Sequence, residues 1–295
     1  MADGKNDRRS VWMITTSMLI FGTIGVFRRY LPLSSAFLAF SRGILGGLVL
    51  LGFMKLQRGR ITNRLPARKI GWLVLTGALI GINWMLLFEA YNHTTVAVAT
   101  LCYYMQPTIV VLLSPLIFKE KLTFRKAVCA AVAIIGMVFV SGVAGGDGLQ
   151  AVNARGILLG LGAAVFYATV VIMNKRISGV DAYQKTTIQL LSAGIVMLPY
   201  MLFTGESVGR DFSPSTILLL LVVGIVHTGI AYVLYFGSMD GLKVQSIALF
   251  SYIDPVSALL FSALFLKEPL SAAGLAGAVM IIGSAIVSEM QKETR

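Results

Sequence analysis

Residues 93–123 read HTTVAVATLCYYMQPTIVVLLSPLIFKEKLT, and residues 241–271 read GLKVQSIALFSYIDPVSALLFSALFLKEPLS. At an offset of 148 residues, ten of these 31 positions are identical: Val96/Val244, Leu101/Leu249, Tyr104/Tyr252, Pro107/Pro255, Leu112/Leu260, Ser114/Ser262, Leu116/Leu264, Lys119/Lys267, Glu120/Glu268 and Leu122/Leu270. Leucines and valines coincide by chance in any apolar sequence. A proline, a tyrosine and a Lys-Glu pair coinciding together in one register point to duplication. The chain therefore reads as two related halves, 1–142 and 155–295, joined by a linker at 143–154 that includes most of the Gly-rich stretch 142–148.

Working outward from the repeat, the apolar runs set the fold class. A hydrocarbon core about 30 Å thick takes roughly 20 apolar residues per helix. That window finds ten spans, at about 11–30, 34–54, 70–91, 95–117, 124–142, 156–174, 183–203, 215–237, 243–266 and 271–289. The expected architecture is an all-α integral membrane protein with five spans in each half. Five is odd, so the halves enter the membrane with opposite orientation. Such inverted repeats are a signature of secondary transporters, whose substrate site lies near the bilayer midplane at the repeat interface.

Composition agrees. Of 295 residues, 57% are hydrophobic and 13% charged, with a mean hydropathy of +0.82. Soluble domains carry about 25% charged residues, so too little polar surface remains here to coat a water-soluble globule. Disorder needs the opposite balance, and a β-barrel would show alternating segments of about ten residues. The formal charge of +12 does not indicate nucleic-acid binding, because the 25 Lys and Arg lie mainly between the spans. With the N-terminus inside, 19 fall in cytoplasmic segments, five in outer ones, and Arg42 within a span. That bias predicts both termini in the cytoplasm. The charged leader (Lys5, Arg8, Arg9) lacks a small-residue cleavage site, so 11–30 reads as a helix and not as a removed signal peptide.

Enzyme chemistry finds no support. The sequence has no H-E-x-x-H, no G-x-S-x-G and no Walker A run, and its two histidines, His93 and His227, are far apart. Cys102 and Cys129 both fall in apolar spans and suggest packing, without a disulfide framework. No metal site and no cofactor is expected.

Polar groups at membrane depth need a reason, since a central charge costs at least ~2.5 kcal/mol on insertion scales. Asp254 stands directly before Pro255, and its repeat counterpart Gln106 stands before Pro107. Each proline lacks the helical N–H, freeing the carbonyl four residues earlier at Tyr103 and Ser251. Kinks or hinges lining a cavity, and packing kinks without a ligand, are both open readings. Asp254 suits a cation ligand or a proton carrier, or a carboxylate bonded to neighbouring hydroxyls. Arg42 suits a substrate carboxylate or a framework pairing. His227 suits proton-linked switching or a satisfied hydrogen bond, and Glu89 is an interfacial group. Aromatic and amide side chains cluster on spans three, four, eight and nine: Asn83, Trp84 and Phe88; Tyr103 and Tyr104; Tyr232 and Tyr235; Tyr252. At helical spacing Trp84 shares a face with Phe88, and His227 with Tyr235. The set predicts an aromatic-lined cavity for an organic ligand with an apolar part or a cationic amine. Gly43-x-x-x-Gly47, Gly77-x-x-x-Gly81 and Gly156-x-x-x-Gly160 predict close helix approach.

Several motifs carry a resemblance: Trp12…Phe21-Gly22, Ser41-Arg42, Pro107 with Phe118-Lys119-Glu120-Lys121-Leu122, and Pro255 with Leu266-Lys267-Glu268-Pro269-Leu270. Ile134-Ile135-Gly136 and Ile281-Ile282-Gly283 close the two halves. In these the chain resembles the drug/metabolite transporter superfamily, in its ten-helix branch of two EamA-type halves. The resemblance implies a secondary transporter of the bacterial inner membrane, with a small-molecule substrate and the lipid bilayer as its partners. It favours efflux of amino acids or related metabolites by alternating access, and makes Arg42 a common framework feature. Proton-coupled uptake, drug or amine efflux and a channel-like facilitator remain alternatives. The sequence leaves the oligomeric state and the coupling ion, a proton included, unassigned.

Overall fold

The computed structural model describes residues 3–57, 64–118, 123–140, 151–205, 212–242, 244–268 and 271–289. The Gly-rich stretch 142–148 and the Lys119–Leu122 run lie outside them. Among the described residues all regular structure is helical. The helices are α1 (Asp3–Arg29), α2 (Ser35–Leu56), α3 (Ala67–His93), α4 (Val96–Tyr103), α5 (Gln106–Phe118), α6 (Phe124–Val140), α7 (Ala151–Arg176) and α8 (Ala182–Thr204). There follow α9 (Pro214–Leu221), a π-helical stretch (Val222–Ile230), α10 (Ala231–Ser238), α11 (Val244–Ser251), α12 (Ile253–Phe265) and α13 (Ala272–Glu289). Laid end to end they make ten spans at the expected places. Seven helical runs are long and apolar enough to cross a membrane, with Ile253–Phe265 and Ala272–Ser288 as shorter apolar helices.

Two spans are broken. The fourth divides into α4 and α5 at Tyr104–Met105, and the ninth into α11 and α12 at Tyr252. Pro107 and Pro255 lie at the second and third residues of the new helix, where a missing N–H is harmless because that donor has no intrahelical partner. The prolines therefore stand at breaks in spans four and nine, the positions where a kink or hinge was expected. Tyr104 and Met105 turn their amides back to the carbonyls of Thr100 (2.9 Å) and Cys102 (3.1 Å), closing α4.

The packing follows the repeat. The first span, α1, packs on α10 and α12 of spans eight and nine, and α7, the first span of the second half, packs on α3, α4 and α5 of spans three and four. Spans two and seven (α2 and α8) pack on each other, as do spans five and ten (α6 and α13). Exchanging the halves returns the same set of contacts, as a pseudo-two-fold axis in the membrane plane requires. Large apolar side chains such as Leu116, Phe124, Leu158, Phe203 and Leu264 are left on the outside, where lipid would cover them.

Small residues set the distances. A Cβ on Gly43 of α2 would stand 2.6 Å from the Gly194 amide and 2.7 Å from the Leu190 carbonyl of α8; Gly81 meets the Ala193 carbonyl at 2.6 Å, and Gly160 the Cys102 side chain at 2.8 Å. In lipid, close van der Waals packing of this kind takes over the role that hydrophobic burial has in water. Because the obstructing atoms at Gly43 are backbone, they cannot swing aside. Gly43→Ala is expected to destabilise by about 1–3 kcal/mol, read as a lower thermal midpoint of the detergent-solubilised protein. Gly52→Ala, whose added methyl meets nothing within 4 Å, is the control expected to leave the midpoint unchanged.

Candidate functional site

A cavity of about 260 Å³ lies between the two broken spans. Span one forms one wall with Met18, Phe21, Gly22, Ile24 and Gly25; Arg42 enters from α2, and Trp84, Leu87 and Tyr91 from α3. Thr100, Tyr103, Tyr104 and Gln106 flank the break in span four, and Ser251, Asp254 and Ala258 the break in span nine. Tyr167 of α7 and Tyr232 and Tyr235 of α10 complete the lining. The rings brace one another: Tyr103 lies 5.6 Å from both Tyr104 and Tyr167, centroid to centroid, and Phe21 lies 5.3 Å from Tyr232.

The cavity holds one buried cation and one half-buried acid. Arg42 is 5% exposed, with its guanidinium carbon 3.8 Å from the centroid of the Trp84 ring and 5.4 Å from that of Phe88. Its Nε donates to Thr228 Oγ1 at 3.1 Å. Gly46, one turn along α2, leaves the space into which Thr228 packs. Thr228 in turn donates to the Val223 carbonyl at 3.1 Å, five residues back along the π-helical stretch. Among the described residues no protein acceptor takes the two terminal nitrogens of Arg42, and no carboxylate lies within ion-pair distance of it. Asp254 is held from the opposite half, accepting a 2.6 Å hydrogen bond from the Tyr104 hydroxyl. The two charges thus share a cavity and are held by different partners.

The structure brings together Arg42, Trp84, Tyr103, Tyr104, Gln106, Tyr232, Tyr235 and Asp254 from the residues singled out in the sequence. It puts four others elsewhere. Asn83 is fully buried and donates to the Ala163 carbonyl at 2.6 Å, tying α3 to α7. Phe88 is fully buried behind Arg42, because α3 lines the cavity at 84, 87 and 91 rather than 84 and 88. Tyr252 packs in a second apolar cluster with Leu101, Cys102 and Ile281. His227 points to span one, at 2.8 Å from Thr23 Oγ1, with its ring centroid 4.5 Å from that of Phe27 at a tilt of 59°. The shared face expected for His227 and Tyr235 is lost because the π-helical stretch adds a residue to its turns. Pro107 and Pro255 lie at the breaks and outside the lining. Glu89 is away from the cavity, receiving hydrogen bonds from Ser35 (2.8 Å) and Asn92 (3.0 Å) and pairing with His93 at 3.1 Å.

Sequence reasoning missed the wall formed by span one and Tyr167. Phe21-Gly22 was visible as a motif, but apolar and glycine residues at membrane depth give no electrostatic signal. Among the described residues no group of His, Cys, Asp and Glu is arranged to hold a metal.

An inverted pair of five-helix halves around a midplane cavity is a transporter's architecture, and comparison with known proteins supplies the family. Residues 8–142 and 154–290 each match the EamA-like transporter family. The chain belongs to that family, within the drug/metabolite transporter superfamily. It is 29% identical over 262 residues to the "Uncharacterized transporter YxxF" of Bacillus subtilis, covering 88% of this chain and 83% of that one. It is 27% identical over 278 residues to "Protein PecM" of Dickeya dadantii, covering 90% and 86%. A solved crystal structure aligns over 95% of this chain and 98% of its own with a TM-score of 0.65 at 23% identity, which shows the shared fold. The protein is a multi-pass membrane transporter, not an enzyme.

In this EamA-type transporter the Tyr104–Asp254 bond crosses between the halves, so removing one partner strands the other. Tyr104→Phe is expected to destabilise by about 1–3 kcal/mol. In a double-mutant cycle with Asp254→Asn, the combined loss should fall short of the sum of the single losses. Thermal midpoints of the four purified proteins measure it, and strict additivity would show the bond to be energetically idle.

Proposed function

We propose that this transporter moves a small zwitterionic metabolite of the amino-acid class outward across the bacterial inner membrane, by alternating access around the central cavity. The observation that carries the substrate class is the free fork of Arg42. A guanidinium 95% buried, with Nε engaged by Thr228 and both terminal nitrogens left to the cavity, matches the two oxygens of a carboxylate. Trp84 beneath it fixes the plane of that fork. Asp254, held by Tyr104, offers the opposite charge to an ammonium group. Tyrosines and Phe21 supply apolar faces for the rest of the molecule. The volume, about 260 Å³, is just under the ~300–1,000 Å³ of drug-sized sites and so favours a metabolite over a large drug.

Alternating access draws support from two broken spans, one from each inverted half, meeting at the cavity. The outward direction and the cytoplasmic termini follow the family resemblance and the 19-to-5 charge bias. Asp254 is the cavity group on which proton coupling would act. His227 faces Thr23 and Phe27 instead, which weighs against a proton role for it at the substrate. One second reading has an observation of its own: Asp254 among Tyr103, Tyr104, Tyr167 and Tyr232 suits a cationic amine without a carboxylate.

Three probes separate these readings in reconstituted liposomes: L-phenylalanine, phenethylamine (which lacks the carboxylate) and 3-phenylpropionate (which lacks the ammonium). Saturable counterflow of L-phenylalanine is expected, with little exchange of the other two. Loss of the charge-assisted carboxylate bonds in Arg42→Gln, worth about 1.5–3 kcal/mol, should weaken L-phenylalanine roughly 10- to 100-fold. Saturable exchange of phenethylamine alone, indifferent to Arg42→Gln, would transfer the assignment to amine efflux. Linear flux of every probe would point to a facilitator.

Thr228 gives a finer prediction. Thr228→Val removes the bond that orients Arg42, so it should raise the apparent KM for L-phenylalanine about tenfold, with Thr228→Ser close to the parent. An unchanged KM in Thr228→Val would show that the fork needs no orienting bond.

A further inference from the structure

Three walls of the cavity end one helical turn below a single carboxylate. Gly25 on α1, Thr100 on α4 and Ala258 on α12 line the cavity. Four residues further along each wall, about 6 Å at the helical rise, stand Arg29, Val96 and Ser262. Arg29 Nη2 donates to Glu268 Oε1 at 2.7 Å and to the Thr94 carbonyl at 2.9 Å. The other oxygen of Glu268 accepts the Val96 amide at 3.0 Å and the Ser262 hydroxyl at 2.9 Å. Spans one, four and nine are thereby tied through one side chain of the second half.

The position of Glu268 is built. Lys267 adopts a left-handed backbone with φ of 54°, a conformation that residues carrying a Cβ take only against a penalty. That turn ends span nine and folds the chain back, with the Glu268 amide 3.3 Å from the Ser262 carbonyl. The carboxylate then caps the N-terminus of α4, where a free N–H and the helix dipole both favour an anion. Beneath the knot, Gly25 lets α1 close directly onto Val96, and Gly22 lets it approach the Asp254 carbonyl, 2.9 Å from an added Cβ. The neighbouring Glu89 does nothing comparable, since its Ser35 bond links α2 to α3 within one half.

We propose that Arg29 and Glu268, anchored on the Val96 amide, form the latch that closes this end of the transport cavity. Parting α1 from span nine breaks Arg29–Glu268, parting it from the start of span four breaks Arg29–Thr94, and parting spans four and nine breaks Val96–Glu268, so the end opens only when the knot comes undone. The latch is a rate-governing device separate from the binding groups: none of its members lines the cavity. Three of its parts recur in the sequence repeat, as Val96/Val244, Ser114/Ser262 and Glu120/Glu268. It rests on the alternating-access reading proposed above, and the charge bias assigns its face to the outside.

Thiol accessibility tests it without any substrate, so its failure is separable from failure of the substrate assignment. The full-length chain carries Ala258→Cys as the cavity reporter, in a background with Cys102→Ala and Cys129→Ala. A membrane-impermeant maleimide is applied to intact cells and, separately, to inside-out vesicles. Glu268→Gln keeps an acceptor for the Val96 amide and loses the ion pair; it is expected to speed labelling in intact cells on the order of tenfold, with no change in vesicles. Arg29→Gln, changing the other partner, should do the same, which guards against a folding defect peculiar to one variant. Glu89→Gln should leave both rates unchanged. Equal acceleration from both sides, no acceleration in either latch variant, or an equal effect of Glu89→Gln would overturn the latch.

Discussion

A backbone carbonyl or amide that lacks its helical partner cannot face lipid; at membrane depth it survives only against protein or a water-filled space. Much of this molecule follows from that constraint acting at two prolines. Pro107 and Pro255 divide spans four and nine near mid-membrane, so the two breaks must turn inward. Turning inward makes them face each other, and the space between them becomes the cavity. The Tyr104–Asp254 bond is the direct consequence, a hydroxyl beside one break satisfying a carboxylate beside the other. Span one, with Gly22 and Gly25 along it, is thin enough to lie against both broken spans and complete the enclosure.

The scaffold obeys the pseudo-two-fold axis, and the chemistry departs from it. Where the second half has Asp254 the first has Gln106, so the acid is single. Tyr104 reaches into the cavity, whereas its counterpart Tyr252 is buried among Leu101, Cys102 and Ile281. Arg42 corresponds at an offset of 147 residues to Gln189, which is spent on Thr76 and Asn174, at 2.7 and 2.9 Å, between packed helices. Two inverted halves explain how a cavity can face either side of a membrane. They do not by themselves make a binding site, because a symmetric cavity would duplicate each charge. One cation and one acid in one cavity arise from divergence at two corresponding positions, Arg42/Gln189 and Gln106/Asp254.

Most of the fold was legible in the sequence because it rests on signals that survive without tertiary context. Twenty-residue apolar runs announce spans, and Pro107 with Pro255 fixes the register of the repeat. The charged and aromatic members of the site, Arg42, Trp84, Tyr104 and Asp254, were legible for a related reason: lipid makes such groups conspicuous. Two kinds of information were not. The contribution of span one is shape without charge, and nothing in Met18 or Gly25 announces a wall until the partners are known. The π-helical stretch is the other. Its sequence, Val222–Ile230, reads as an ordinary apolar helix, and the stretch packs closely on α2, Thr228 against Gly46, Gly224 against Leu45 and Gly229 against Val49. A 3.6-residue period therefore put His227 beside Tyr235, while the real period sent it to Thr23.

The separation of Arg42 from Asp254 has an energetic logic. Left to relax, a buried guanidinium and a half-buried carboxylate lining one cavity attract, and closing on each other would fill the cavity with an ion pair. Here each is restrained by groups of its own. Thr228 and the Trp84 face hold the cation, the latter interaction worth about 0.5–2 kcal/mol, and the Tyr104 hydroxyl holds the acid. These restraints are neutral, so they orient the charges without cancelling them. The cavity consequently keeps a dipole that neither lipid nor the protein satisfies, and a ligand with its own opposed charges completes it better than any singly charged one. Under the proposed function this gives selectivity a physical origin. A zwitterion neutralises both ends on entering, whereas an amine or an acid alone leaves one buried charge uncompensated, the most expensive outcome in such a medium.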